Sequence, residues 1–378
     1  MDIAFSPKWY VMAKPAGAHC NLHCDYCYYR STAGHTIYEG RFTIDDLHFT
    51  KAPARCSLRE GADTQFLDTY IRQYIQLTPV GEEVVFIWHG GEPLLRPLSY
   101  YQEAVRLQKQ YAEGHPVSNV IQTNGTLLTD DWCRFFRDAQ WTVGVSIDGP
   151  EVVHNRYRGT SFARVMQGIE RLQKHAVPYT VMAVISDESA RQPLQVYRFL
   201  RQLGTPFLQL EPQAEDPLAG VVSPQEFAAF YNAVFDEWYA QDIGKVYIEL
   251  FDNTLAMLMG YPSSTCIFSP RCGNAPVVEA DGAVYCCDHY VPHAPLGNMF
   301  DTPLLEMLSS ERMFRFGQQK MPTAKQCASC EFLRLCYGGC PRHRDAEGVN
   351  RLCEGYQAFF RHTLPYFRDM AATIRQQA

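Results

Sequence analysis

Short apolar runs alternate with amphipathic stretches between residues 9 and 212, and this alternation predicts the fold. Six runs are predicted to be strands: WYVMAKP (9–15), VVFIWHGGEP (84–93), SNVIQTNG (118–125), WTVGVSIDG (141–149), YTVMAVIS (179–186) and PFLQLEP (206–212). Apolar residues at helical spacing predict helices over 65–77 and near 98–112, 129–138, 162–175 and 190–203. Strands that alternate with helices indicate a parallel sheet in an α/β fold, either open or curved into a partial barrel.

Composition narrows the classes of protein that the chain can represent. With 378 residues, of which 46% are hydrophobic, it is long enough for one large α/β domain and a smaller one. A net charge of −7 argues against a nucleic-acid partner, and no apolar run reaches the roughly 18 residues of a membrane span. The start, MDIAFSPKWY, lacks the pattern of a secretory signal. We therefore expect a cytoplasmic protein with reduced thiols.

The cysteines fall into two groups. Of the fourteen, three lie between residues 20 and 27 and nine between residues 266 and 353. Cys56 and Cys133 stand apart and are interpreted as ordinary free cysteines, which are often buried. Because thiols in a reduced compartment favour metal binding over disulfides, both groups are expected to bind metal.

The first group lies in the loop GAHCNLHCDYCYY, where Cys20, Cys24 and Cys27 have C-x3-C-x2-C spacing. A structural zinc site uses four protein ligands, and a 4Fe–4S cube is normally held by four thiolates. Three cysteines would hold three irons and leave the fourth open, as a reaction site that can chelate an amine and a carboxylate. His19 and His23 have the wrong offsets for a Cys–His zinc site and are expected to be simple loop residues.

The second group contains the eight thiols that two fully ligated 4Fe–4S cubes require. These are Cys266, Cys272, Cys287, Cys327, Cys330, Cys336, Cys340 and Cys353. A zinc ribbon built on Cys327-x2-Cys330 is the alternative. Cys286 and Cys287 are adjacent, and because successive side chains of an extended stretch point to opposite sides, only one of the two can face a cluster.

The opening loop resembles the C-x3-C-x-aromatic-C motif of radical S-adenosylmethionine (SAM) enzymes, through Cys20, Cys24, Tyr26 and Cys27. The resemblance implies that the open iron binds the amino and carboxylate groups of SAM, and that an electron from the cluster cleaves the sulfonium to a 5′-deoxyadenosyl radical. It also implies a partial (β/α)6 TIM-type barrel with SAM at the carboxyl ends of the strands, where ligands of parallel sheets generally bind.

Polar and glycine residues at the ends of the next strands are candidates for SAM binding. HGGEP resembles the motif of that family that borders the SAM amino group, and there Glu92 can complement an ammonium. SIDG and QTNG end two further strands where a ribose or carboxylate would lie. The predicted SAM-binding residues are Tyr26, Gly90, Gly91, Glu92, Pro93, Gln122, Ser146 and Asp148. An arginine for the SAM carboxylate is not evident, since Gln167 stands near the expected place.

The second cysteine group resembles the SPASM extension of radical SAM enzymes, which carries two auxiliary 4Fe–4S clusters, so three clusters are expected in all. The family pattern assigns Cys266, Cys272, Cys287 and Cys340 to the first auxiliary cluster. It assigns Cys327, Cys330, Cys336 and Cys353 to the second. The Gly282-x4-Cys spacing selects Cys287 over Cys286. We expect a radical SAM barrel over 1–240 and a SPASM domain with a C-terminal helix over 241–378.

VYCCDHY, CGNAPVVEADG and LCYGGCPRHR, with the strand-end motifs, resemble the anaerobic sulfatase-maturating enzymes from about residue 9 to 365. In that family an Asp directly after the ligand cysteine is the catalytic base, which implies this role for Asp288. The segment GRFTIDDLHFTKAPARCSLREGADTQ, with Cys56, is longer than the family pattern.

The resemblance implies a mechanism and partners. The deoxyadenosyl radical takes a hydrogen from Cβ of a Cys or Ser in a sulfatase, Asp288 removes the thiol or hydroxyl proton, and an auxiliary cluster accepts the electron, giving Cα-formylglycine. A carboxylate can act as this base when it is ionised and within hydrogen-bond reach. His89 is expected to contact the substrate peptide, of Cys-x-Pro-x-Arg or Ser-x-Pro-x-Arg type. A flavodoxin or ferredoxin is the expected electron donor.

Two alternatives stay open on the sequence. A SPASM maturase of ribosomal peptides, which forms thioethers, carbon–carbon crosslinks or epimers, shares all three clusters. No winged peptide-binding domain precedes the first strand, which mildly favours the sulfatase interpretation. A non-catalytic iron–sulfur electron carrier would need only four-coordinate clusters, and the three-cysteine loop argues against it. The choice between Cys and Ser, the sulfatase and the oligomeric state are not evident from the sequence.

Overall fold

The computed structural model describes residues 9–30, 60–215, 218–322 and 324–377. The segment around Cys56 lies outside these residues. Ten strands are present in the described part: β1 Met12–Lys14, β2 Val84–Trp88, β3 Val117–Thr123, β4 Thr142–Ser146, β5 Tyr179–Ile185, β6 Phe207–Pro212, β7 Tyr247–Ile248, β8 Val277–Glu279, β9 Ala283–Tyr285 and β10 Pro295–Asn298.

Helices connect the strands and cover the sheet. In chain order they are α1 Glu60–Leu77, α2 Leu98–Tyr111, α3 Asp130–Asp138, α4 Glu151–Arg158, α5 Phe162–Lys174, α6 Asp187–Ala190, α7 Pro193–Gln202, α8 Pro224–Gln241, α9 Glu249–Leu258, α10 Leu304–Leu308, α11 Glu311–Gln318, α12 Lys325–Ala328, α13 Leu333–Cys336 and α14 Cys353–Gln377. The predicted strands and helices are thus confirmed, whereas α4, α6 and α8 to α13 were not predicted.

The strands form one sheet in the order β10-β9-β8-β1-β2-β3-β4-β5-β6-β7, with β10 and β7 at its two edges. Strands β1 to β7 are parallel and lie in chain order, which confirms the α/β class. On the other side of β1, β8 pairs with it in parallel, and β9 and β10 continue the sheet antiparallel. The cysteine-rich half of the chain therefore extends the sheet of the first half directly.

Buried and partly exposed residues alternate along β2, so that one face of the sheet packs against the helices. Val84, Phe86 and Trp88 are buried, while the residues between them are partly exposed on the opposite face. Trp88 packs at 6.0 Å from Trp141 in a stacked geometry, and its indole N–H donates to Asn119 Oδ1 at 2.8 Å. This aromatic layer fixes the sheet against its outer helices and leaves the inner face free for a site.

The C-terminal helix α14 packs on α8 and holds the chain end to the sheet. The rings of Phe227 and Tyr356 are 4.7 Å apart and those of Phe235 and Phe367 are 5.0 Å apart. The expected domain boundary between residues 240 and 241 coincides with the end of α8 and stays a prediction. None of the helices in the described part is long and apolar enough to cross a membrane.

Candidate active site

The opening cysteine loop is anchored by the Gly-Gly turn at the end of β2. The N–H of Gly91 donates to Gly17 O and that of Glu92 to His19 O, both at 2.8 Å. A Cβ on Gly91 would lie 2.1 Å from His19 O, so only glycine permits this approach. Gly90 has φ +121, a conformation that side chains rarely adopt. Pro93 then begins a single 3₁₀ turn that ends at Leu95.

The three thiols of this loop lie close enough to influence one another. Burial raises the pKa of Cys20 to about 12, and the charges of Glu92, Cys24 and Cys27 add to this. The Cys20 sulfur lies 3.4 Å from the N–H of Leu22. His19 and His23 are exposed, as loop residues would be. An iron–sulfur cluster would stabilise the thiolate forms of these three cysteines.

Glu92 is wholly buried and bonded to the protein. Its Oε1 accepts from Leu94 N at 2.9 Å and from Thr123 Oγ1 at 2.7 Å, while Oε2 accepts from Asn124 N at 2.8 Å. Burial raises its pKa to about 7 against these hydrogen bonds. The carboxylate therefore ties the end of β3 to the Gly-Gly turn, and Asn124 in turn reaches the Cys20 sulfur at 3.7 Å.

Asp148 and Tyr26 belong to a buried charged group at the end of β4. Asp148 Oδ2 accepts from Tyr26 at 2.5 Å and from Arg158 Nε at 2.9 Å, and Oδ1 accepts from Val184 N at 3.0 Å. Desolvation would lower the pKa of Arg158, but the charges of Asp148, Tyr26 and Cys24 raise it well above its usual value.

Arg158 is the cation that the sequence did not identify. It is buried and interacts with Cys24, whereas Gln167 is exposed on α5. Helix α4 begins directly after the SIDG turn, and its last turn is basic. This basic turn is the sequence feature from which Arg158 could have been predicted. Gln122 donates to Ser146 Oγ at 3.0 Å, so these two predicted residues also meet at the strand ends.

Asp288 is held by two residues from the opposite half of the chain. It forms an ion pair with Lys14 at the end of β1 and accepts a hydrogen bond from the Tyr28 hydroxyl of the cysteine loop. Burial would raise the pKa of Asp288, but the charges of Lys14, His89 and His289 outweigh it and hold the pKa well below its usual value. The carboxylate is therefore ionised at neutral pH.

Lys14 is fully buried and surrounded by acceptors. Its ammonium lies 3.4 Å from the centre of the Tyr29 ring and 3.7 Å from Glu279 Oε1. Lys14 and Glu279 face each other in the pairing of β1 with β8. The same pairing brings Asp288, nine residues after Glu279, into contact with Tyr28 of the opening cysteine loop.

His89 lies beside this ion pair at the end of β2. Its pKa is lowered, mainly by burial, although the charge of Asp288 opposes this. Within the described part of the chain its Nδ1 atom has no hydrogen-bond partner. On the other side of Tyr28, the His289 ring stacks at 4.2 Å and its Nδ1 lies 2.5 Å from Glu215 Oε1. The Nδ1 atom of His89 is thus available to a ligand.

The second cysteine group separates into two sets, and the first surrounds Cys287. Burial raises the pKa of Cys287, and the charges of Asp288, Cys266 and Cys340 add to it. The pKa of Cys272 is raised by burial to about 11, with Cys340 acting in the same direction. These four thiols are the set expected for the first auxiliary cluster.

Cys286 lies apart from that set. It is buried, its N–H donates to Ala294 O at 3.0 Å, and Arg312 is the charge that acts on its thiol. Cys287, in contrast, interacts with Cys266 and Cys340. The structure thus orients the two adjacent side chains differently, as the extended backbone requires.

The other four thiols line one cavity, between α12, α13 and the start of α14. They are Cys327, Cys330, Cys336 and Cys353. Gln326 and Gln357 reach the Cys353 sulfur at 3.7 and 3.5 Å, and the N–H of Gly338 reaches the Cys336 sulfur at 3.4 Å. Such N–H···S contacts are among the features that tune iron–sulfur clusters.

Neither set is arranged for a mononuclear site. Among the described residues, no three His, Cys, Asp or Glu side chains are placed to hold a single metal ion. A cube holds its thiolates farther apart than a single ion does. The donors of each set are four thiols, which is the ligand chemistry of a 4Fe–4S cube. Cys133 is buried on α3, as its isolation predicted.

Two family models match the chain. Residues 15–200 match the radical SAM superfamily, and residues 266–331 match the SPASM iron–sulfur cluster-binding domain. Both matches agree with the expectations drawn from the cysteine spacing.

Among characterised relatives, the chain is 41% identical to a serine-type anaerobic sulfatase-maturating enzyme of Bacteroides thetaiotaomicron, over 99% of this chain and 94% of that protein. It is 33% identical to a serine-type enzyme of Klebsiella pneumoniae, over 96% of this chain and 90% of the relative. It is 28% identical to a cysteine-type enzyme of Clostridium perfringens, over 98% of this chain and 100% of the relative.

Solved structures give the same result. Native anSMEcpe with bound AdoMet and Kp18Cys peptide superposes with a TM-score of 0.83 at 28% identity, covering 96% of this chain and 99% of that one. Streptococcus suis SuiB bound to precursor peptide SuiA superposes with a TM-score of 0.62 at 13% identity, covering 92% and 76%. The second likeness concerns the fold alone.

Proposed function

The chain belongs to the anaerobic sulfatase-maturating enzymes, radical SAM enzymes that generate formylglycine, and we propose that it acts on a serine residue of a sulfatase polypeptide. The more similar of the relatives described above are of the serine type, which supports this choice over cysteine. The observation that carries the mechanism is the position of Asp288. It reaches from the cysteine-rich half to the end of β1 and the opening loop.

The protein groups present fit the cofactors of such an enzyme. Cys20, Cys24 and Cys27 would hold the SAM-binding cluster, and the two sets of four thiols would hold two auxiliary cubes, three in all. When bound, these groups supply a radical that takes a hydrogen atom from the substrate Cβ and an acceptor for the electron that follows.

Asp288 is proposed as the base that takes the serine hydroxyl proton. Lys14 and the Tyr28 hydroxyl contact its two oxygens, and, although burial opposes it, the charge of Lys14 contributes most to lowering its pKa. A hydroxyl on a carbon radical is more acidic than an ordinary alcohol, so even a carboxylate of low pKa can accept its proton. The serine side chain loses one hydrogen atom, one proton to Asp288 and one electron, which leaves an aldehyde.

Two other groups would position the ligands. Arg158, a buried cation beside Cys24, suits the SAM carboxylate, and Ser146 with Gln122 suits its polar groups. Direct contact of Glu92 and Asp148 with SAM stays a prediction, since their oxygens already bond to the protein. His89 would offer its Nδ1 to the substrate peptide. The flavodoxin- or ferredoxin-type donor and the cytoplasmic location also stay predictions.

Anaerobic incubation of the reconstituted enzyme with SAM, a reductant and two matched peptides tests this function. The peptides differ only in carrying Ser-x-Pro-x-Arg or Cys-x-Pro-x-Arg. The mass of the serine peptide should fall by two hydrogens, and the product should react with a hydrazide, as an aldehyde does. The aldehyde should form faster from the serine peptide than from the cysteine peptide. A crosslinked or epimerised product would refute the proposal, and a strong preference for cysteine would refute the serine assignment.

A further inference from the structure

One fully buried cation in the cysteine-rich half has no part in the mechanism above. Lys320 follows α11 and is 0% exposed. Its ammonium donates to Ile267 O at 2.6 Å and to Gly339 O. Within the described part of the chain, no carboxylate forms an ion pair with it. A buried charge without a counter-charge is strongly unfavourable, so a positively charged Lys320 needs a negative group beside these two carbonyls.

The two carbonyls identify that group. Ile267 follows Cys266 directly, and Gly339 precedes Cys340 directly, so the ammonium joins the two loops that carry these thiols. The N–H groups of Cys272 and Lys320 both donate to Gly317 O, at 3.2 and 3.4 Å, so the loop that carries Cys272 adjoins the same turn. The negative partners of Lys320 are therefore the thiolates of the first auxiliary set.

We propose that the positive charge of Lys320 raises the reduction potential of the first auxiliary cluster. The thiols that would hold this cluster are Cys266, Cys272, Cys287 and Cys340. A cube with four thiolates has a net negative charge that grows by one on reduction. A fixed positive charge stabilises the reduced form more than the oxidised form, and net charge is one determinant of cluster potentials. The inference rests on the proposed function only in assuming that these four thiols hold a cube.

The electron balance of the step is simple. One electron leaves the deprotonated substrate radical, whose C–O bond becomes the carbonyl, and one electron enters the cluster. No further co-reactant takes part. By stabilising the reduced cluster, Lys320 makes the transfer from the substrate more favourable.

Neutral variants of Lys320 should still fold. Arg344 donates to Lys320 O at 2.7 Å and to Gly338 O at 3.2 Å. Both acceptors are backbone carbonyls, so these bonds persist when the Lys320 side chain is replaced. Arg344 therefore holds the turn before Cys340 independently of the Lys320 ammonium.

The test is a redox titration followed by electron paramagnetic resonance, on the full chain with Cys20, Cys24 and Cys27 replaced by Ala. In this background only the auxiliary clusters contribute. Lys320→Met should make reduction of one cluster at least about tenfold less favourable, which is a fall of about 59 mV for one electron. Lys320→Arg should keep the potential. Lys245→Met is the matched control, because Lys245 also donates to a carbonyl, Gln241 O at 2.8 Å, but is exposed.

Two results would overturn the proposal. The first is a Lys320→Met protein that retains its iron with both potentials unchanged. The second is loss of a cube in both Lys320→Met and Lys320→Gln, because Lys320 would then be purely structural. No sulfatase peptide is present in this titration, so a failure of the peptide assay leaves the result standing.

Discussion

Replacement of Gly91 by alanine should dislodge the opening cysteine loop. The new Cβ would lie 2.1 Å from His19 O, and side-chain carbons essentially never approach within 3.0 Å, so backbone must retreat by about 0.9 Å. That movement disrupts the bonds Gly91 N–Gly17 O and Glu92 N–His19 O, both at 2.8 Å. Each such bond is worth about 0.5–1.5 kcal/mol, and overpacking adds about 1–3 kcal/mol.

The total, about 2–6 kcal/mol, corresponds to a loss of roughly 30-fold or more in the population of the cluster-binding loop. We expect Gly91→Ala to keep the iron of the auxiliary sets, to lose that of the opening loop, and to lose SAM cleavage in proportion. Iron per chain and 5′-deoxyadenosine are measured after reconstitution. Gly114→Ala is the control for a glycine replacement without a clash: nothing lies within 4 Å of a Cβ there, so the backbone strain at φ +89 is its only cost, and its iron content should be complete. Full iron and undiminished SAM cleavage in Gly91→Ala would refute the reasoning.

Three further predictions concern Asp288, its ion pair and its neighbouring cysteines. Asp288→Asn should retain SAM cleavage but form about 10²–10⁴-fold less formylglycine, and peptide mass spectra with undiminished aldehyde would exclude it as the base. Cys286→Ala should keep its iron content, whereas Cys287→Ala should lose one cube; the reverse outcome would exchange their roles. Lys14→Met breaks a buried ion pair and should destabilise the protein by about 3–5 kcal/mol. Its thermal midpoint should therefore fall far more than that of Lys174→Met, which removes an exposed pair, and equal shifts would contradict this.

Local sequence patterns were sufficient to predict the sheet. Strands β2 to β6 are short, mainly apolar runs in which buried positions recur, and such runs between amphipathic stretches can be identified one by one. The two-residue strand β7 and the helix α6 of four residues are too short to show a period. The three antiparallel strands β8, β9 and β10 were not predicted, because they have only three or four residues each.

The surroundings of the candidate base could not be predicted in the same way. Lys14 and Asp288 are 274 positions apart, and they meet because β8 pairs with β1. No local pattern records that pairing. From the sequence alone, Lys14 cannot be distinguished from an exposed lysine at the end of an edge strand. Likewise, Tyr28 cannot be distinguished from any other aromatic residue beside a cysteine. The thiols differ, since their spacing indicated the opening loop and the eight donors of two cubes, whereas their division into two sets followed from the resemblance to the SPASM extension.

Arg158 shows an intermediate case. Its position after the SIDG turn was visible in the sequence, yet α4 carries basic residues at 156 and 158, and only the fold buries one of them beside Cys24. Which of two basic residues faces inward depends on the phase of the helix against the sheet. That phase is a tertiary property.

The central claim is that the bound radical acts on Cβ of a serine beside Asp288. It is tested most directly with a serine peptide in which both Cβ hydrogens are deuterium, incubated anaerobically with the reconstituted enzyme, SAM and a reductant. Mass spectrometry should find one deuterium in the 5′-deoxyadenosine for each aldehyde formed, and one deuterium left on the aldehyde carbon. Aldehyde formation with unlabelled 5′-deoxyadenosine, or label arriving only from a peptide deuterated on Cα, would contradict the claim.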